Sequence, residues 1–205
     1  MKLIGTAFFT IFAMLAFVLT PPVTSAKGGI EIGAKLENFS MMGTDGKTHS
    51  FNDLKGKNGA VIIFLSAQCP VVKGYIQRID EIAAEYKAKG IAFIGVNANN
   101  RDAESLEWVT SDAAENFKFP MLIDEGNVLA DKFGATVTPE AYYFDKNNVL
   151  KYHGAIDNDR SGKNIQERFL RTAFDSALAG KEIEKTKTAA FGCTIKRAGG
   201  GKATK

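Results

Sequence analysis

The stretch Ala60-Val61-Ile62-Ile63-Phe64-Leu65 constrains the fold most. It is continuously apolar and mostly β-branched or aromatic, the pattern of a strand buried on both faces. Cys69-Pro70 follows directly, and from Pro70 to Lys89 the period becomes helical. Ile76, Ile79, Ala83 and Tyr86 share one stripe with Ile82 beside it, while Lys73, Gln77, Asp80, Glu81 and Lys87 lie largely away from it. Gly90 supplies a helix stop, and Ile91 to Val96 repeats the buried-strand pattern. A strand, a helix and a second buried strand of this kind predict a parallel βαβ unit in a sheet covered on both faces.

The flanking elements complete an α/β order. Extended pieces between Phe39 and Phe51 surround Thr44-Asp45-Gly46-Lys47, a hairpin signal. Asp102 is placed to cap a helix running to about Glu115. Phe119 to Ile123 reads as extended, and Gly126 to Phe133 as a short helix closed by Gly134. Ala141 to Phe144 and Val149 to His153 predict a hairpin joined by Asp145-Lys146-Asn147-Asn148. Gly162 to Ala179 reads as a last amphipathic helix, with Ile165, Phe169, Ala173 and Phe174 on one side and Gly180 beyond. Residues 181–205 read as a mobile, charged and then Gly-rich tail, except around Cys193.

At the other end, Lys2 precedes an almost unbroken apolar run from Leu3 to Leu19. Pro21-Pro22 breaks it, and Thr24-Ser25-Ala26 offers small residues. This is the pattern of a secretory signal cut after Ala26, giving an exported protein, periplasmic or secreted. Left uncut, the run reaches the lower limit for spanning a bilayer, roughly 17 residues, and would tie the chain to a membrane. Removing residues 1–26 takes away one Lys and no acid, so a formal net charge of +3 becomes +2. So small a charge gives no footprint for nucleic acid. Two histidines, His49 and His153, and two cysteines are too few and too widely spaced for a structural zinc site.

The chemistry converges on Cys69. A thiolate where a strand ends and a helix begins faces unpaired N–H groups and the positive end of the helix dipole, which favour the anion. Pro70 suits the first helical position, and Lys73 stands one turn on. The competing account is a small buried hydrophobe. Thr138-Pro139, just before the late hairpin, is a candidate cis bond that would present the Thr138 backbone to an extended substrate; an ordinary trans turn is the alternative.

Phe64-Leu65-Ser66-Ala67-Gln68-Cys69-Pro70 resembles the active-site segment of thioredoxin-like proteins, in particular the alkyl hydroperoxide reductase and thiol-specific antioxidant (AhpC/TSA, redoxin) family. Gly134-Ala135-Thr136-Val137-Thr138-Pro139-Glu140 is similar to that superfamily's cis-proline segment, and Tyr152 to Asp157 to the strand end that follows. The resemblance covers about Ile32 to Leu178. It implies a thioredoxin-like three-layer α/β/α sandwich over residues 32–180, with a central mixed sheet and an N-terminal β-hairpin extension. It also implies an oxidoreductase acting on thiols, disulfides or peroxides without a metal or organic cofactor.

The departures matter. Val72 stands where thioredoxin has its second cysteine, Ile62 where peroxiredoxins have Pro, and Lys73 where copper-delivery relatives have a second cysteine. Ser66 matches the hydroxyl that helps hold a peroxide, and Arg160 is the candidate for the peroxiredoxin arginine. Phe191 to Lys196 resembles a C-terminal segment of relatives with a single Cys-Pro motif. Cys193 is thus a candidate resolving cysteine or one half of a static bridge to Cys69. The expected catalytic set is Cys69, Cys193 and Ser66, and the expected substrate-binding set Pro70, Thr138, Pro139 and Arg160. The partners are a thiol or disulfide protein, or a peroxide, and an external thiol donor. The alternative is an exported binding module whose Cys69–Cys193 bridge only holds the fold.

Overall fold

A computed structural model describes residues 28–197. The segment 1–26, expected from sequence to be a secretory signal, and the last eight residues lie outside them. The β3 strand, Gly59–Phe64, is wholly buried. Its alternate side chains enter different cores: Val61 and Ile63 face one apolar cluster, and Ala60, Ile62 and Phe64 the other. This explains why the run carries no polar alternation.

Before β3, β1 (Ser40–Met42) and β2 (Thr48–Ser50) form the antiparallel hairpin expected around Asp45-Gly46, followed by the single-turn helix α1 (Phe51–Leu54). After β3 comes α2, Pro70–Ala88, which buries Val72, Tyr75, Ile79, Ile82, Ala83 and Tyr86. The stripe read from sequence therefore begins a turn earlier, at Val72 and Tyr75. The β4 strand, Ile91–Asn97, returns beside β3, where the Leu65 N–H donates to the Val96 carbonyl at 2.9 Å. Next come α3 (Leu106–Asn116), β5 (Met121–Ile123), α4 (Val128–Phe133), β6 (Val137–Thr138), β7 (Glu140–Asp145), β8 (Leu150–Gly154), α5 (Phe169–Leu178) and β9 (Cys193–Thr194).

The central sheet is mixed, in the order β5-β4-β3-β7-β8: β4 is parallel to β5, and β7 is antiparallel to both β3 and β8. On one face α2, α3 and α5 contribute Ile79, Ala113 and Phe174 to the first core. On the other, Phe51 of α1 and Leu129 and Phe133 of α4 join the second. The result is the expected three-layer α/β/α sandwich with its hairpin extension.

Three boundaries differ from the sequence reading. Asp102 does not cap α3; Ser105 does, its Oγ accepting the Trp108 N–H at 3.2 Å. Residues 100–104 instead close a turn on Asn100, whose carbonyl accepts the Glu104 N–H at 3.0 Å. The last helix starts at Phe169, not Gly162, because side chains take the amides upstream: Asn158 Oδ1 accepts from Gln166 and Glu167, both at 3.0 Å, and Asp159 Oδ2 from Asn164 at 2.6 Å. Residues 181–190, read as mobile, run beside β8. The His153 N–H donates to Thr186 O at 2.9 Å and the Thr188 N–H to His153 O at 3.0 Å, covering an otherwise open sheet edge.

Candidate active site

Cys69 is the N-cap of α2, with extended backbone and no side-chain cap bond, and Pro70 opens the helix. The cap carbonyl accepts the Lys73 N–H at 3.0 Å. The Cys69 side chain is buried in the first core. Its sulfur is bonded to Cys193, with Cα atoms 5.8 Å apart across a sequence separation of 124 residues.

The second half of the site is the segment 136–140. The Thr138–Pro139 peptide is cis, as the resemblance implied. Thr138 and Pro139 are buried, and the Thr138 carbonyl oxygen lies 3.4 Å from Cys69 Sγ. The edge of β6, which sequence reading offered to an extended substrate, is occupied by the chain's own tail. β9 pairs antiparallel with it, Cys193 opposite Thr138 and Thr194 opposite Val137, and the Ile195 N–H donates to Thr136 O at 2.9 Å. Thr138 Oγ1 also reaches the Cys193 carbonyl at 3.4 Å. This approach requires glycine at 192, where a Cβ would sit 1.8 Å from the Thr138 carbonyl oxygen.

Around Cys193 the tail spans both cores. Phe191 and Cys193 pack against the first cluster, while buried Ile195 belongs to the second. Asn99 Oδ1 accepts the Lys196 N–H at 2.6 Å, and the Asn100 N–H donates to Lys196 O at 2.8 Å. Arg197 pairs with Asp131 at 2.8 Å.

Ser66 stands near Cys69 in the chain, its carbonyl accepting the Cys69 N–H at 3.3 Å, but its hydroxyl donates to the buried carboxylate of Glu104. Glu104 also accepts from Ala67 N at 3.3 Å, Gln68 N at 2.9 Å and Asn97 Nδ2 at 2.6 Å, so it holds the loop that delivers Cys69. Glu140 does the same behind β6. It accepts from Thr136 N at 2.8 Å, Val137 N at 3.2 Å, the Tyr142 hydroxyl at 3.1 Å and His153 Nε2 at 2.6 Å. Burial pushes the Glu140 carboxyl up, but the bonds from His153, Thr136 and Val137 outweigh it and hold the group below its usual range. Sequence reading missed both acids as site residues: Glu104 meets its loop by tertiary approach across 36–38 positions, and Glu140, although three of its partners are within four residues, sits in no pattern that marks an acid as buried.

Arg160 is exposed and stacks its guanidinium 5.6 Å above the Phe191 ring. It is the Cys193 segment, not the Cys69 sulfur, that it adjoins. A half-buried basic group nearby is Arg78, which pairs with Asp157 at 2.7 Å and lies 3.6 Å over the Tyr75 ring. Lys73 is exposed. Among the described residues no group of three His, Cys, Asp or Glu side chains is arranged to hold a metal ion, and no helix is long and apolar enough to cross a membrane.

Residues 32–153 match the AhpC/TSA family. A thiol-disulfide oxidoreductase ResA from Bacillus thuringiensis (strain Al Hakam) is 27% identical over 136 residues, 66% of this chain and 76% of the relative. The crystal structure of a hypothetical protein from Sinorhizobium meliloti 1021 superposes with a TM-score of 0.77 at 30% identity, covering 84% of this chain and 98% of that one. The exposed lipoprotein thioredoxin of Streptococcus pneumoniae strain TIGR4 shares the fold, at 23% identity and a TM-score of 0.53, over 68% of this chain and 99% of that one. The family match ends at His153, ahead of α5 and the tail that carries Cys193. With a thioredoxin-like sandwich, a cysteine at the strand-to-helix junction and a cis-proline beside it, the chain belongs to the AhpC/TSA family.

Proposed function

We propose that this protein is an exported thiol-disulfide oxidoreductase that works through Cys69 and Cys193. The observation that carries the reading is the bond between a helix-capping cysteine and a tail cysteine laid along the cis-proline edge. In the reduced protein the Cys69 thiolate attacks a substrate disulfide. One substrate sulfur leaves as a thiolate, and the other stays bonded to Cys69. The Cys193 thiolate then attacks Cys69 and releases the second substrate sulfur. The substrate gains two electrons, the pair Cys69–Cys193 loses them, and an external thiol donor restores it.

Pro70 keeps the helix start free of a competing donor, and Thr138 and Pro139 shape the wall beside the sulfur. Peroxide is the weaker substrate candidate: Ile62 replaces the peroxiredoxin proline, and the Ser66 hydroxyl is held by Glu104. Export by the segment 1–26 would place the pair where disulfides persist. The test is intact mass of the mature protein, reduced and then exposed to an oxidised dithiol or to hydrogen peroxide. Rapid, reversible loss of two hydrogens, mapped to Cys69–Cys193 and abolished by Cys69→Ser, supports the cycle, and the faster oxidant identifies the substrate class. A bridge that resists thiol reductants in the folded protein would instead mark a structural staple and a binding module.

A further inference from the structure

The two sulfurs of the bridge are unequal in access. Cys69 is 2% exposed and lies in the first core, with a carbonyl oxygen 3.4 Å from its sulfur. Cys193 is half-buried, on a two-residue edge strand whose next residue, Thr194, is exposed. A thiolate attacks a disulfide in line, approaching one sulfur from the side opposite the other. Which sulfur is taken depends on access and on how well the other leaves.

Resting on the oxidoreductase reading, we propose that in the oxidised protein the external donor attacks Cys193, with Cys69 as the leaving thiolate. The donor sulfur forms a bond to Cys193 Sγ as the Cys69–Cys193 bond breaks, and the electron pair of that bond stays on Cys69. A dithiol donor then closes its own disulfide and releases Cys193 as a thiolate. The donor loses two electrons and the protein gains them.

Both selecting factors point the same way. Cys69 leaves at the start of a 19-residue helix whose first turn has no side-chain cap, so unpaired N–H groups and the dipole stabilise its negative charge. Cys193 sits on a strand and has no such support, which makes it the poorer leaving group. The tail also covers the β6 edge, so a donor cannot dock there by adding a strand while the bridge is closed. The donor must present its thiolate to the outer side of β9. The two half-reactions therefore use different sulfurs: substrate meets Cys69 in the reduced protein, and donor meets Cys193 in the oxidised one.

The test uses the oxidised, unmodified chain and a monothiol, glutathione. After brief exposure at low conversion the mixture is quenched in acid. Free thiols are alkylated and the peptides are mapped by mass. The expected result is glutathione on Cys193 with alkylated Cys69, exceeding the converse product by about tenfold or more. Glutathione on Cys69 with alkylated Cys193, or comparable amounts of both, overturns the assignment while leaving the oxidoreductase reading intact. A bridge that yields no adduct, and that dithiothreitol opens only after denaturation, overturns both.

Discussion

Two buried carboxylates flank the disulfide, and they are built alike with one difference. Glu104 stands behind the loop that delivers Cys69, and Glu140 behind the strand that receives Cys193. Each accepts two backbone N–H groups and two side-chain donors. The Glu104 donors are all neutral: a hydroxyl, two amides of the main chain and the Asn97 amide. The Glu140 set includes His153, which also stacks on Tyr142 with ring centroids 4.2 Å apart. The loop that delivers one sulfur is thus held by hydroxyl and amide donors alone, and the strand that receives the other by a set that adds an imidazole and a phenol. A carboxylate can organise a loop through hydroxyl and amide donors alone, or share that task with a ring that is itself stacked in place.

Removing Glu104 breaks the comparison most severely. Glu104→Leu strands a hydroxyl, two main-chain N–H groups and the Asn97 amide in the interior, and should cost about 3–5 kcal/mol, read from the denaturant midpoint. Next is the bridge that joins the two halves: Cys193→Ser should cost about 2–5 kcal/mol and abolish reversible disulfide formation, checked by denaturation under non-reducing conditions and by intact mass.

Glu140→Gln keeps the acceptor oxygen but loses charge-assisted bonds, and should cost about 1–2 kcal/mol at neutral pH. It sharpens the comparison through acid titration. Because the folded carboxyl is held below its ordinary 4.5, the unfolded chain takes up the proton first as pH falls. The Glu140 contribution is therefore complete above that value and is lost as pH drops through the lowered folded pKa. Wild type should lose stability there, and the variant should lose less. The smallest effect is expected from Arg160→Ala: a change within about 0.5 kcal/mol and unaltered exchange activity, since its side chain rests on Phe191 at the surface. A large loss of activity would show that this arginine reaches substrate.

Those residues also mark where sequence reading runs out. Local periodicity exposes β3, α2 and β4, because strand burial and a helical stripe are written into neighbouring residues. Cys69-Pro70 and Thr138-Pro139 are legible because each combines a breaker with a defined place in that order. Glu104 and Glu140 carry no such mark. The Ser66–Glu104 contact spans 38 positions, and nothing local distinguishes Glu104 from a surface acid. The start of α5 is hidden for a related reason: Asn158 and Asp159 capture the amides that a helix from Gly162 would use. Most of the tail looks free in sequence because its anchors, Asn99, Asn100 and Thr136, come from two separate loops, and its docked apolar residues, Ile183, Phe191 and Ile195, form no periodic stripe.

That docking bears on how quickly the bridge can re-form. The contacts that seat Ile195 in the second core and tie Lys196 and Arg197 to the sandwich involve neither sulfur. Cys193 is then separated from its nearest anchor, Ile195, by a single residue, and the 124-residue separation no longer sets the distance it must search. Its effective concentration at Cys69 is that of a tethered reactant, for which ring closure outruns capture by thiols in solution. A pair remote in sequence thereby gains the kinetic character of two neighbouring cysteines, with Ile195 serving as the pivot.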